Sequence, residues 1–304
     1  MLVIAKKRVM PMRKGNNDLG MYNLPYDEVI EHIKGNLRGF YEVPSSAYCE
    51  PFSIINNLYY VGDRQVCAHL IDTKDGLILF DAGYQHTVHM LIQSIWSLGF
   101  DPADIKYLIL SHGHFDHFGA CNELRALYGI KSFMSRADCD ILRSTPEASL
   151  LYLNPNPYAK LPVVDYEFED GEVLHLGNID IECVLSPGHS PGTTSFFFDM
   201  EDNDRIYKVG YFGGTGFLTL YREYLQKYRL PLDLREKYKQ TINKLKSRNV
   251  DIVLGNHPSQ NFTFEKLSAM QGGAQSNAFI DPGEWNSFLE NLEEQYEIFL
   301  EKGY

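Results

Sequence analysis

Tyr107-Leu108-Ile109-Leu110-Ser111-His112-Gly113-His114-Phe115-Asp116-His117 is the stretch that decides the fold. Four side chains able to bind metal fall within six residues, directly behind an apolar run. A buried strand that ends there in a turn delivers all four to one pocket at its C-terminal edge. Three imidazoles and a carboxylate are too many for a single tetrahedral zinc that keeps a position open for water. They are the right number to begin a two-metal site, in which paired ions clamp a substrate and a hydroxide. A histidine-rich surface turn without a role is the competing reading, and the rest of the chain argues against it.

The remaining ligands follow two further strand-like runs. His189 lies in Ser186-Pro187-Gly188-His189-Ser190-Pro191-Gly192, behind Ile179–Leu185. The prolines and glycines around it set an unusual backbone and allow close approach of a metal or substrate. His257 lies in Leu254-Gly255-Asn256-His257-Pro258, again directly behind an apolar run. A lone histidine after a strand is more often a hydrogen-bonded surface residue. Two of them, added to His112, His114, Asp116 and His117, make a site at the rim of a sheet. Asp81, in Phe80-Asp81-Ala82-Gly83, ends another apolar run and is a candidate acceptor that orients a ligand imidazole; its plainer reading is a turn residue.

Working outward, the chain of 304 residues punctuates into short strands and amphipathic helices. The patterns predict a helix over 26–34 and strands over 52–55, 58–61, 66–71 and 77–80, with turns at Asn56-Asn57 and Lys74-Asp75-Gly76. They predict a helix over 87–98 closed by Gly99, the strand 106–110, and a helix over 120–128. Beyond that come a strand over 131–134, a helix over 137–143 and a proline-rich loop over 144–165. The second half repeats the order, with strands at 172–176, 179–185, 194–198, 206–212 and 251–254 and helices at 234–247 and 282–302. Two sets of strands, each followed by helices, imply an α/β architecture of packed sheets with helices outside. We expect residues 1–50 to form an N-terminal extension lying on the main body and residues 51–304 to form one domain.

Composition bounds the function. A formal charge of −12 argues against nucleic acid, whose phosphates are held by clustered Lys and Arg. No stretch has the roughly 18–20 apolar residues of a membrane span. Five cysteines, odd in number and never in a Cys-x-x-Cys pair, favour free thiols in a reducing compartment. Basic residues near the start (Lys6, Lys7, Arg8, Arg13, Lys14) precede no apolar segment, so a cytoplasmic location is expected; a leader already removed would leave the same sequence.

Asp81-Ala82-Gly83, His112-Gly113-His114-Phe115-Asp116-His117, Pro187-Gly188-His189-Ser190-Pro191-Gly192 and His257, in this order, resemble the metallo-β-lactamase superfamily of binuclear hydrolases. The resemblance covers about 52–300. It implies an αββα sandwich with two Zn2+ at one edge, His112, His114 and His189 holding one ion and Asp116, His117 and His257 the other. It implies a metal-bound hydroxide attacking a carbonyl, with Asp116 also handling the proton of the nucleophile. One departure is informative. Many members carry a metal-bridging Asp where this chain has Val209-Gly210-Tyr211-Phe212-Gly213-Gly214-Thr215-Gly216, without carboxylate or Cys. That pattern resembles the third, histidine-rich subclass of metallo-β-lactamases, although the serines that hold a substrate carboxylate there are absent and only Thr215 stands in for them.

The resemblance therefore implies a β-lactamase-like hydrolase of cyclic amides acting on a small molecule. A lactonase or thioesterase of the same fold is the alternative; a non-catalytic metal-binding module and an RNA-processing nuclease rank lower. Tyr84, Tyr152, Tyr158 and Tyr211 are candidates to line the pocket. Tyr152 and Tyr158, together with Thr215, are the substrate contacts this reading names. The sequence leaves the oligomeric state open.

Overall fold

The computed structural model describes residues 18–304. The segment read for targeting signals, with the basic residues before position 15, lies outside them. The strands are β1 (Phe52–Ile55), β2 (Leu58–Tyr60), β3 (His69–Asp72), β4 (Leu77–Phe80), β5 (Ile105–Ile109), β6 (Lys131–Ser135), β7 (Tyr166–Phe168), β8 (Val173–Leu176), β9 (Ile179–Leu185), β10 (Thr194–Asp202), β11 (Arg205–Tyr211) and β12 (Ile252–Leu254). The helices are α1 (Tyr26–Glu42), α2 (Val88–Ser97), α3 (Phe115–Phe118), α4 (Cys121–Tyr128), α5 (Arg136–Ser144), α6 (Arg222–Lys227), α7 (Leu234–Leu245), α8 (Thr263–Gln271) and α9 (Glu284–Glu301).

β1 to β7 form one sheet in chain order, antiparallel as far as β4 and parallel from there. The second sheet runs β12-β11-β10-β9-β8, with β12 parallel to β11 and the rest antiparallel. Alternate residues of each strand face opposite sides, and here both sides are buried. Ile78, Phe80 and Ile109 join Ile181, Phe196, Phe198 and Tyr211 in the core between the sheets. Leu77, Leu79 and Leu108 point the other way, into a core shared with the helices. Phe80 stacks on Phe198 across the sandwich, ring centroids 5.6 Å apart. The architecture is αββα, as the sequence led us to expect.

The differences from the sequence reading have local causes. The helix expected over 26–34 continues to Glu42 because Leu37 and Phe40 extend its buried face past Gly35. The strand expected over 66–71 shortens to β3, since Val66 N–H donates to the Asp63 carboxylate and Cys67 N–H to the carbonyl of Asn256. The segment 144–165 holds two single turns of tighter helix, Pro146–Ser149 and Leu151–Leu153. β7, α6 and α8 went unread: β7 is three residues long, α6 is six, and α8 buries only Thr263 and so shows little apolar stripe.

Candidate metal centre and cavity

Every ligand candidate sits just beyond a strand end. The chain leaves β5, crosses Leu110 and Ser111, and presents His112 and His114; Asp116 and His117 ride on the single turn of α3. His189 lies in the loop between β9 and β10, where Gly188 has φ 144. A Cβ on Gly188 would lie 2.3 Å from the Tyr238 ring of α7, so the loop passes as close as glycine permits. His257 follows β12. Asp138, in the first turn of α5, clasps two of these loops together. It accepts from Gly113 N (2.7 Å), Gly192 N (2.6 Å) and Ser190 Oγ (2.8 Å). Sequence reasoning did not find it, because Ser135-x-x-Asp138 reads only as the start of a helix.

Two groups result, His112/His114/His189 and Asp116/His117/His257, each with its donor atoms within 4.8 Å of one another. In the first, His189 Nε2 is 3.2 Å from His112 Nε2 and 3.0 Å from His114 Nδ1. In the second, Asp116 Oδ2 is 3.3 Å from His117 Nε2 and 3.5 Å from His257 Nε2. Donors on a tetrahedral zinc with bonds of about 2.0–2.1 Å are roughly 3.3 Å apart. The spacing fits.

The hydrogen bonds on the outer ring nitrogens explain why. His189 Nδ1–H donates to Gly216 O (2.7 Å) and His257 Nδ1–H to Gln65 O (2.8 Å). His117 Nδ1–H donates to Asp81 Oδ2 (2.9 Å). Ser111 Oγ donates to Asp81 Oδ2, so it accepts from His112 Nδ1–H at 3.0 Å. Each of these four rings thereby has one nitrogen engaged outside and the other turned inward, where it would meet a metal. Lone pairs of His112 and His189 then face each other at 3.2 Å, an arrangement that a cation between them stabilises. Nε2 of His117 is buried 3.3 Å from Asp116 Oδ2 without a well-formed hydrogen bond, a place that a cation would fill. These donor sets fit divalent zinc.

Charge follows the same logic. Burial, joined by the neighbouring imidazoles, holds His112 and His114 well below the ordinary histidine range. Burial takes His189 down to about 4, against the bond to Gly216. Burial alone would raise Asp116, yet His117, His257 and His114 hold its carboxyl well below the usual range. Burial would lower His117, yet Asp116 and Asp81 lift it to about 10. Without a cation, His117 carries the positive charge that the two carboxylates require.

Asp81 ends β4 at φ 55 and is fully buried. Besides His117 and the Ser111 hydroxyl, it accepts from Ser111 N (2.8 Å) and Tyr211 OH (2.5 Å). Tyr211, weighed as a pocket residue, is therefore a buried support. The glycines of the 209–216 stretch also acquire a reason. A Cβ at Gly213 would meet Thr194 O at 2.1 Å, and one at Gly214 would meet the His189 ring at 2.4 Å. Neither position has room for a side chain, let alone a bridging carboxylate.

A cavity of about 240 Å3 opens over the two groups. Thr215 lines it, its hydroxyl accepting from Gln260 Nε2 at 2.8 Å, and Tyr84 lines it too. Tyr152 and Tyr158 do not. Tyr158 is 81% exposed, and Tyr152 turns to Tyr26 and Tyr228, while Leu150 and Leu153 of the same segment reach the cavity. The two tight turns reverse the faces that an open loop would have shown.

A family model described as the metallo-beta-lactamase superfamily matches residues 61–257. Among curated proteins, the chain is 33% identical over 135 residues to a hydroxyacylglutathione hydrolase of Haemophilus influenzae, covering 44% of this chain and 60% of that protein. It is 24% identical to an N-acyl homoserine lactonase of a Bacillus species, covering 56% and 74%. Among solved structures, a subclass B3 metallo-beta-lactamase of Bradyrhizobium japonicum superposes with TM-score 0.74 at 29% identity, over 84% of this chain and 95% of that one. The metallo-beta-lactamase of Legionella gormanii gives 0.76 at 29%, over 84% and 97%.

Proposed function

This chain belongs to the metallo-beta-lactamase superfamily, and from that premise we propose that it is a binuclear zinc hydrolase that opens a carbonyl compound, a β-lactam-like cyclic amide first. That it is a metal-dependent hydrolase follows from its relatives. The observation that carries the finer reading is the pair of three-donor groups at tetrahedral spacing, with outer nitrogens already hydrogen-bonded. His112, His114 and His189 would hold one zinc; Asp116, His117 and His257 the other. Bound zinc lowers the pKa of a water from about 15.7 towards 7 and polarises a carbonyl.

The chain's own residues supply the rest. Asp116, kept ionised by the imidazoles around it, offers its second carboxylate oxygen to the proton of the attacking water. Asp81 and the carbonyls of Gly216 and Gln65 hold the imidazoles in one orientation, so little reorganisation accompanies the reaction. Thr215 and Gln260 place neutral hydrogen-bonding groups on the cavity wall. A lactone or thioester substrate is the second reading, favoured by the likeness to an N-acyl homoserine lactonase and a hydroxyacylglutathione hydrolase. The test is hydrolysis of the chromogenic cephalosporin nitrocefin by zinc-loaded protein, with His114→Ala as control. Turnover that vanishes in the variant supports the cyclic-amide reading; none, from protein shown to hold two zincs, overturns it and leaves the second.

A further inference from the structure

The cavity has walls of two origins. Its metal-bearing side comes from strand ends within residues 61–257, the span of the family model. Most of its apolar wall comes from outside that span: Leu19 and Met21 ahead of α1, Ile33 and Leu37 on α1, Phe288 and Leu292 on α9. Leu150 and Leu153 close the same space. The polar groups interleaved with them are neutral, the amides of Asn36, Asn291, Gln65 and Gln260 and the hydroxyls of Thr215 and Ser259, and among the described lining residues there is no Lys or Arg. A carboxylate placed against such a wall loses hydration without gaining a counter-charge. A methylene placed there leaves water for an apolar surface, which favours binding about fourfold per group.

We propose that this enzyme prefers carbonyl substrates whose non-reacting arm is an apolar chain, held against α1 and α9, over substrates whose arm ends in a carboxylate. The inference rests on the hydrolase reading above and names the substrate class of that site. The shared chemistry is an apolar arm on the carbonyl that is opened, and open and cyclic esters report it. Ile33 is the residue best placed to report it. It lines the cavity from a half-buried position on α1, so a larger side chain there fills the cavity without entering the core.

The experiment uses the zinc-loaded 304-residue chain and two substrate series. The linear arm compares 4-nitrophenyl acetate, butanoate and octanoate with the mono-4-nitrophenyl ester of octanedioic acid, which bears a carboxylate at the far end. The cyclic arm compares γ-butyrolactone with γ-dodecalactone and shows which ester form is preferred. We expect kcat/KM to rise about fourfold per methylene over the first several carbons, and the terminal carboxylate to cancel that rise. Ile33→Trp flattens the dependence on chain length. Calorimetric binding of N-octylacetamide, which is uncharged and not an ester, weakens about tenfold in the same variant. Zinc-dependent turnover that ignores chain length, or that favours the octanedioate, overturns this inference and leaves the hydrolase reading standing. Absence of zinc-dependent turnover in both series counts against the hydrolase reading instead. In that event N-octylacetamide binding that Ile33→Trp does not weaken overturns the apolar arm as well.

Discussion

Asp81 receives four donors on two oxygens, three of them on Oδ2, while its backbone holds a left-handed φ that a non-glycine residue adopts at some cost. An amide of the same shape presents NH2 where one oxygen stood. Whichever way it turns, a donor then faces a donor. Asp81→Asn is therefore expected to weaken zinc binding about 10- to 100-fold, through loss of the His117 orientation. It should also cost the metal-free protein about 2 kcal/mol. Competitive chelator titration and urea unfolding measure the two effects separately; unchanged zinc affinity would show that Asp81 supports the fold alone. A contact between Asp81 and an imidazole of the cluster was legible from its place after an apolar run, and the bond to His117 Nδ1 is that contact. That Ser111 and Tyr211 share the carboxylate was not, since Tyr211 arrives from the opposite sheet.

At the scale of elements, α8 and α9 are joined by an ion pair with little solvent around it. Lys266 Nζ lies 2.6 Å from both oxygens of Glu284, with side-chain exposures of 11% and 8%. Burial pulls the lysine down and pushes the glutamate up to about 7. Removing one partner strands the other, so Lys266→Met alone should destabilise by about 3–5 kcal/mol, while Lys266→Met with Glu284→Leu should be close to neutral. A double-mutant cycle by urea unfolding decides; equal losses in single and double variants would refute the coupling. These helices also show where reading by pattern stops. α9 was legible because Trp285, Leu289, Leu292, Tyr296 and Phe299 repeat at helical spacing on one buried face. α8 was not, because only Thr263 is fully buried and its apolar contacts reduce to the half-buried Phe264 and Met270, too few to make a stripe.

Over the whole molecule, acid acts through groups buried without charge. His69 lies between the sheets against Tyr60 and Tyr211, and burial takes it down to about 4. Between pH 6.5 and about 4 the unfolded chain binds a proton at this site and the folded chain does not. Stability therefore falls as pH drops through that window, by about 3 kcal/mol from His69 alone. His69→Phe should remove that share of the slope, read from urea midpoints of metal-free protein across the window; an unaltered slope would place the acid sensitivity elsewhere. Chelation gives the companion prediction. A metal that binds only the folded state stabilises it by mass action, so removing zinc should lower Tm by several degrees, and adding zinc back should restore it. A Tm indifferent to chelator would mean that the two groups hold no metal under those conditions.

The sequence by itself determined the strand ends and the six His and Asp side chains that cluster beyond them. A strand, its turn and its histidines are contiguous, so their relation is local and period-2 burial exposes it. The glycines at 213 and 214 were legible only as a departure, and their reason is a distance to Thr194 and His189 that no local pattern encodes. Only the tertiary structure decided which nitrogen of each imidazole turns inward, because the carbonyls of Gly216 and Gln65 that set it come from distant loops. The tertiary structure alone likewise decided the far wall of the cavity. Leu150 and Leu153 face it while Tyr152 faces away, and α1 and α9, more than 240 residues apart in the chain, line it together. Side-chain direction in short turns, and contacts between the two ends of a chain, depend on what packs against them.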